Sequence, residues 1–300
     1  MEIFYIKTAS FLSKIPNETV LALGFFDGVH LGHQQLITKA KEISTRKKLQ
    51  LAVMTFYPHP KEIVQGSKFN YLMTLEEKEK KMELLGVDYL YVVNFNKEFA
   101  RLSPETFVQQ YISDLNVKHV VAGFDYTYGH KGMGTMDTIK EHGNGKFEVT
   151  VLPKVELDGI KISSTHIRNL LLKGDVKQIK SFMGSVYETV GQLAIPFSES
   201  NVTARSEGAY MSNNYVYTFV PNNHCSIPCT GKYLVEVQSF NQRETAIAEV
   251  VSIENEIEIQ LCSQLKLGYN NRELCIKWLD SLENEKIMVG QQTKELVPVR

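Results

Sequence analysis

Two histidines bracketing a glycine form the most chemically pointed feature of this 300-residue sequence. They stand in Gly24-Phe25-Phe26-Asp27-Gly28-Val29-His30-Leu31-Gly32-His33, at the end of the apolar run 20–26 and just before an amphipathic stretch. A strand that enters a glycine turn and then a helix leaves free backbone N–H groups and the positive end of a helix dipole where a phosphate can rest. The HxGH spacing lets both imidazoles face one phosphate chain, and Gly32 permits close backbone approach. Protonated or N–H-donating histidines then stabilise charge on a phosphoryl group. A bare HxxH pair would equally suit a core or cap histidine; its place at a strand-to-helix turn favours the phosphate reading.

A second cluster, Lys161-Ile162-Ser163-Ser164-Thr165-His166-Ile167-Arg168, leads into the helical NLLLKGD. Ser163, Ser164 and Thr165 can cap a helix start and offer hydroxyls to a phosphate, while Arg168 can hold phosphate oxygens in a two-pronged contact. Alone, this segment is equally an ordinary cap with a surface arginine. Paired with the HxGH turn, it reads as a second wall of a nucleotide site.

These groups need a scaffold, and the hydrophobic pattern supplies one. The apolar, β-rich runs 20–26, 49–56, 88–95, 119–124 and 147–153 are those of buried parallel strands. Between them, HQQLITKAKEISTRKK, TLEEKEKKMELLG and SPETFVQQYISDL carry helical spacing, the last opening on a Ser cap followed by Pro. The pattern predicts an α/β doubly wound domain over residues 1–184, with ligands beyond the carboxyl ends of the strands. From 185 to 300 the texture changes to short alternating strands separated by Asn, Gly and Pro, which predicts a small antiparallel β-barrel or sandwich. Leu274, Trp278 and Leu282, at i, i+4 and i+8 in RELCIKWLDSLENE, predict a C-terminal helix packed on that domain.

With 43% hydrophobic and 22% charged residues, the chain has the composition of a globular protein. Its formal net charge of -1 argues against a general nucleic-acid binder. Nine basic and 14 acidic residues from Tyr187 onward leave 24 against 20 before it, a mildly basic front part suited to anionic nucleotides. The start lacks the pattern of a secretory signal and no apolar run approaches membrane-spanning length, so the expectation is a cytoplasmic protein with no membrane association. Four cysteines are too few for a disulfide framework, and the spacing of His224, Cys225 and Cys229 does not fit a zinc site.

The two clusters, together with TFYPHP (55–60), LSPETFV (102–108) and VVAGFDYTYGHKGMG (120–134), resemble the bacterial FAD synthetase family of the HxGH nucleotidyltransferase superfamily, over residues 15–184. The resemblance implies a Rossmann-like FMN adenylyltransferase domain followed by a riboflavin kinase barrel. Under it, the substrates are ATP, carried with Mg2+, and FMN; the products are FAD and pyrophosphate. His30, His33 and Arg168 would be catalytic. Gly24, Phe25, Asp27, Gly28, Gly32, Gly123, Asp125, Ser163, Ser164 and Thr165 would complete the ATP site. Tyr57, Pro58, His59, Pro60 and Tyr128 would border the flavin. Phe25 stands where the family often has Asn or a small residue, and Tyr57 where it has Asp. The kinase half departs further: the stretch VGQLAIPFSESNVTARSEGAYM holds the familiar Gly208-Ala209-Tyr210 but no Pro-Thr-Ala-Asn motif, so the barrel is expected to lack kinase activity. A bifunctional enzyme, a flavin-sensing regulator on the same scaffold, and an adenylyltransferase for pantetheine phosphate or nicotinamide mononucleotide, which TFYPHP and VVAGFDYTYGH fit less well, are the alternatives.

Overall fold

The computed structural model describes residues 1–7, 17–193, 215–222, 225–239, 242–253, 256–263 and 273–282. In chain order the first elements are β1 (Glu2–Ile6), β2 (Thr19–Leu23), α1 (Leu31–Lys47), β3 (Gln50–Tyr57), α2 (Pro60–Gln65), α3 (Leu75–Leu84), β4 (Tyr89–Asn94), α4 (Pro104–Val108) and β5 (Val117–Gly123). A short antiparallel pair follows, β6 (Thr127–Tyr128) with β7 (Gly134–Thr135), then α5 (Ile139–His142) and β8 (Glu148–Leu152). The hairpin of β9 (Glu156–Leu157) and β10 (Ile160–Lys161) leads to α6 (Ser164–Leu172) and α7 (Val176–Met183).

The described chain divides into two compact units. One holds the described residues of Met1–Arg168, Ser181–Gly184 and Asn223–Ser226; the other holds those of Asn169–Lys180, Ser185–Asn222 and Ile227–Arg300.

The first unit is built on a six-stranded, wholly parallel sheet of order β1-β4-β3-β2-β5-β8. Its apolar runs are continuous because both faces are covered. Val20, Ala22, Val53 and Val92 join Leu36, Ile37, Ala40 and Ile43 of α1 on one face. Leu21, Leu23, Met54 and Val93 meet Phe107 and Tyr111 on the other. Helix starts follow the local chemistry: Thr74 and Glu77 form a reciprocal cap at α3, and Ser103 caps α4 ahead of Pro104. The SPETFVQQYISDL stretch passes from α4 into a π-helical turn at Gln109–Ser113.

After β2 the chain steps outward through β3 to β4, then crosses to the opposite flank of β2 as β5. The strand order therefore reverses between β2 and β5. In open parallel sheets that switch point opens a crevice at the carboxyl ends of the strands.

The second unit contains a closed antiparallel barrel, β11 (Tyr187–Leu193), β12 (Tyr215–Pro221), β13 (Gly231–Ser239), β14 (Gln242–Ile253), β15 (Glu256–Ser263) and β16 (Glu273–Ser281), in the order β11-β12-β15-β14-β13-β16. The expected C-terminal helix over 272–285 is overturned: its described part is β16, paired with β11 on one side and β13 on the other. Leu274, Ile276 and Trp278 alternate into the barrel, whereas Leu282, the third member of the helical stripe, is 47% exposed. A barrel has no free edge, and closure between β11 and β13 outweighs the helical periodicity of one segment. Trp278 donates its indole N–H to Thr189 Oγ1 at 2.9 Å and meets the Tyr233 ring edge-on at 5.3 Å. Gly208, Ala209 and Tyr210, with the rest of the expected kinase stretch beyond Leu193, lie outside the described residues.

Candidate active site

The turn after β2 is held in a backbone form that few L-residues adopt. Phe26 has φ 55°, Gly28 φ 81° and Val29 φ 41°. Gly28 is required twice over: its φ is positive, and a Cβ there would lie 2.9 Å from the Leu72 side chain. Clamps from distant segments fix the turn. Asp27, 2% exposed, accepts the Leu72 N–H on Oδ1 at 3.0 Å and pairs through Oδ2 with the Arg168 guanidinium. Its carbonyl accepts the Ser164 hydroxyl at 2.8 Å, so the two motifs, 137 residues apart, meet directly. Burial pushes the Asp27 carboxyl upward, opposed by the charges of Arg168 and Lys78.

His30 caps α1: its Nδ1 accepts the His33 N–H at 3.3 Å, which leaves the neutral ring with its proton on Nε2. The two imidazoles stack at 3.6 Å between centroids. Burial lowers His30 to about 4, with the Lys161 ammonium acting in the same sense. Burial also holds His33 well below its ordinary range, helped by His30 and Lys78. Both rings are therefore neutral donors at pH 7, not imidazolium ions. The His33 Nδ1 is buried and has no hydrogen-bond partner among the described residues.

Beside the turn stands an aromatic wall. The Arg168 guanidinium lies 4.5 Å from the Phe69 ring centroid, and Phe69 stacks on His59 at 3.5 Å. Phe25 meets His59 edge-on at 4.3 Å, and Tyr71 meets Phe69 edge-on at 5.1 Å. His59 caps α2 after a cis Tyr57–Pro58 bond; its Nδ1 accepts the Lys61 N–H, and burial lowers its pKa to about 3, with Arg168 next in effect. Tyr71 donates to Glu62, and its oxygen accepts the His59 N–H at 2.8 Å. Asn70 holds the wall in place by accepting Arg168 Nε at 3.1 Å and the Ser226 hydroxyl at 3.1 Å.

Most of the residues singled out in the sequence thus converge on the switch point. Gly24, Asp27, Gly28, His30, Gly32 and His33 follow β2; Gly123 ends β5 and Asp125 follows it, pairing with Lys161 at 2.6 Å. Ser163 caps the His166 N–H, and Thr165 is exposed on the first turn of α6. Phe25 is divided: its carbonyl belongs to the turn and its ring to the aromatic wall. Pro58 and Pro60 flank His59, and Tyr57 is 41% exposed with its ring 5.9 Å from Tyr71. Tyr128 stands elsewhere, 4% exposed against Phe107 and bonded to His142 Nδ1 at 2.7 Å. Phe69, Tyr71, Thr55 and Lys78 were not among the residues singled out. Phe69 and Tyr71 carried one weak signal, two aromatics close together in the short linker between α2 and α3. Among the described residues no group of three or more His, Cys, Asp or Glu could hold a metal ion, and no helix is long and apolar enough to cross a membrane.

A parallel sheet whose switch point carries a histidine-lined glycine turn defines a Rossmann-like nucleotidyltransferase. The chain belongs to the FAD synthetase family, whose family model matches residues 12–166. It is 41% identical over 233 residues to the bifunctional riboflavin kinase/FMN adenylyltransferase of Listeria monocytogenes, covering 77% of this chain and 71% of that one. The enzyme of the same name from Bacillus subtilis is 42% identical over 223 residues, 74% and 68% of the two chains. A solved structure named a macrolide-efflux protein, from Streptococcus pneumoniae, superposes with a TM-score of 0.79 at 28% identity, over 94% of this chain and 91% of that one.

Proposed function

We propose that this protein is an FMN adenylyltransferase that joins the AMP part of ATP to the FMN phosphate, giving FAD and pyrophosphate. The observation that carries the reading is the stacked, neutral His30–His33 pair at the switch point, set beside a wall of His59, Phe69, Tyr71 and Phe25. A phosphate turn and a surface able to stack a flat ring system are what joining FMN to a nucleotide requires.

An FMN phosphate oxygen attacks the α-phosphorus of ATP in line, and the bond to pyrophosphate breaks. The nucleophile is already ionised near neutral pH, so the chain's work is alignment and electrostatic stabilisation. His30 donates its Nε2–H to the phosphate chain, at the N-terminus of the 17-residue α1. His33 stacks on the His30 ring at 3.6 Å, and its Nδ1 is buried without a hydrogen-bond partner among the described residues. Arg168, anchored by Asp27 and Asn70, turns its remaining N–H groups to phosphate oxygens. Ser163, Ser164, Thr165, Gly123 and Asp125 border the nucleotide; Tyr57, Pro58, His59 and Pro60 border the flavin. Tyr128 packs against Phe107 instead. Magnesium enters with ATP as part of the substrate, and Asp27 is already committed to Arg168.

Residues 1–184 form the adenylyltransferase domain in this reading, and 185–300 a kinase-like barrel without kinase activity. A second reading, a bifunctional enzyme, is favoured by the names of the 41–42% identical relatives. Against it stands the missing Pro-Thr-Ala-Asn motif. Purified protein incubated with MgATP and either FMN or riboflavin, each flavin oxidised or reduced, and separated by chromatography tests both. FAD from FMN supports adenylyl transfer; its absence with both redox forms overturns it.

A further inference from the structure

Among the charged residues outside the two motifs, Lys78 is set apart by its burial. It lies on α3 and is 3% exposed. Its Nζ donates to the Phe25 carbonyl at 2.8 Å and to Thr55 Oγ1 at 3.1 Å, and Thr55 donates to the same carbonyl at 2.8 Å. The ammonium also lies 4.5 Å from the Phe25 ring centroid. Both hydrogen-bond partners are neutral oxygens, so the buried charge is not balanced by a directly bonded carboxylate. A methionine would fill similar space without the cost of burying an ion.

The Phe25 carbonyl immediately precedes the left-handed run at Phe26, Gly28 and Val29, in which Val29 is β-branched. Residues in such sparsely populated conformations persist only where the surroundings over-determine them. Asp27 and Ser164 clamp the middle of the turn. Lys78 and Thr55 clamp its entrance, joining the ends of β2 and β3 to α3.

We infer that Lys78 is a positioning residue for adenylyl transfer: through the Phe25 carbonyl it fixes the entrance of the phosphate turn, and its charge stands behind that turn as a fixed counter-charge to the substrate phosphates. The inference rests on the functional reading above. The charged and titratable groups around Lys78 are Asp27 of the turn, Glu79 of α3, His33 of α1 and His59 ahead of α2. Burial lowers Lys78 to about 8, with Asp27 and Glu79 opposing. The charge is thus present at neutral pH and lost just above it.

The test measures FAD formation by the wild type, Lys78→Gln and Thr55→Val across pH 6.5 to 9.5, with kcat and KM for MgATP and FMN separated and thermal unfolding recorded. Misplacement of a catalytic turn by a fraction of an ångström to one ångström costs about tenfold to a hundredfold in rate. The expected result is a loss of that size in kcat for Lys78→Gln, a smaller change in FMN KM, and disappearance of the wild type's fall in rate above about pH 8. Thr55→Val, which removes one acceptor of the ammonium, shifts that fall to lower pH and slows turnover less. Wild-type kcat in a folded Lys78→Gln, or an unaltered pH profile in Thr55→Val, overturns the inference. If Lys78→Gln does not fold, the Thr55→Val profile decides. A wild type that forms no FAD overturns the functional reading itself, and this inference with it.

Discussion

The two units of this protein bury polar groups in opposite ways. At the carboxyl edge of the parallel sheet, Asp27, His30, Thr55 and Lys78 are all buried within one neighbourhood. The barrel interior is apolar at its described positions apart from Thr189, which the Trp278 indole satisfies, and partly polar aromatics such as Tyr187, Tyr217 and Tyr233. An open sheet that reverses direction leaves a crevice its side chains cannot fill, whereas a six-stranded barrel closes on its own side chains. Chemistry gathers where backbone topology leaves space, and packing occupies the rest.

The largest effect expected from this contrast is the absence of riboflavin phosphorylation. Phosphoryl transfer needs the γ-phosphate, its metal and the acceptor held in line, and the Pro-Thr-Ala-Asn motif expected for this is not in the sequence. Formation of FMN from riboflavin and MgATP at a rate comparable with FAD synthesis would break the comparison. Next in size, Trp278→Ala lowers barrel stability by about 3–5 kcal/mol through the cavity it opens. Denaturant titration followed by circular dichroism measures this, and a loss below about 1 kcal/mol would mean that Trp278 is not the centre of the barrel core. In the sheet unit, His30→Ala or His33→Ala lowers kcat roughly a hundredfold or more while FMN affinity changes little. Near-normal turnover in both variants would remove the two rings from the chemistry.

The smallest effect concerns pH. Because the folded-state pKa of His30 is lowered to about 4, its ring signals in an NMR titration stay constant from pH 8 to about 5. In the unfolded chain the same ring binds a proton near pH 6.5. The unfolded state therefore takes up the proton first as acid is added, and this contribution to stability is lost between about pH 6.5 and 4. His59, lowered to about 3, adds to the loss in the same direction. A His30 titration midpoint near 6.5 would contradict the buried, neutral ring.

The parallel strands were legible because burial on both faces writes an unbroken apolar run, and the HxGH turn because glycine and histidine at that spacing serve few other ends. The terminal segment misled for a related reason. Leu274, Trp278 and Leu282 fit a helical stripe, but Leu274, Ile276 and Trp278 fit a strand equally well, and nothing local chooses between the two periods. The vacant edges of β11 and β13 made the choice. Lys78 was illegible because TLEEKEKKMELLG reads as a solvated, charge-rich helix in which any lysine could face water.

By itself the sequence determined the chain's class, five of the six parallel strands in chain order with helices between them, and the two motifs that meet at the site. The tertiary structure alone decided that the last described segment is a strand, that Tyr128 packs in the core, and that Arg168 is tethered by Asp27. It also decided that both site histidines are neutral and that a lysine from α3 lies beneath the phosphate turn. Local periodicity and spacing follow from neighbours along the chain. Burial, protonation and strand partnership depend on which distant groups exclude water from a given atom.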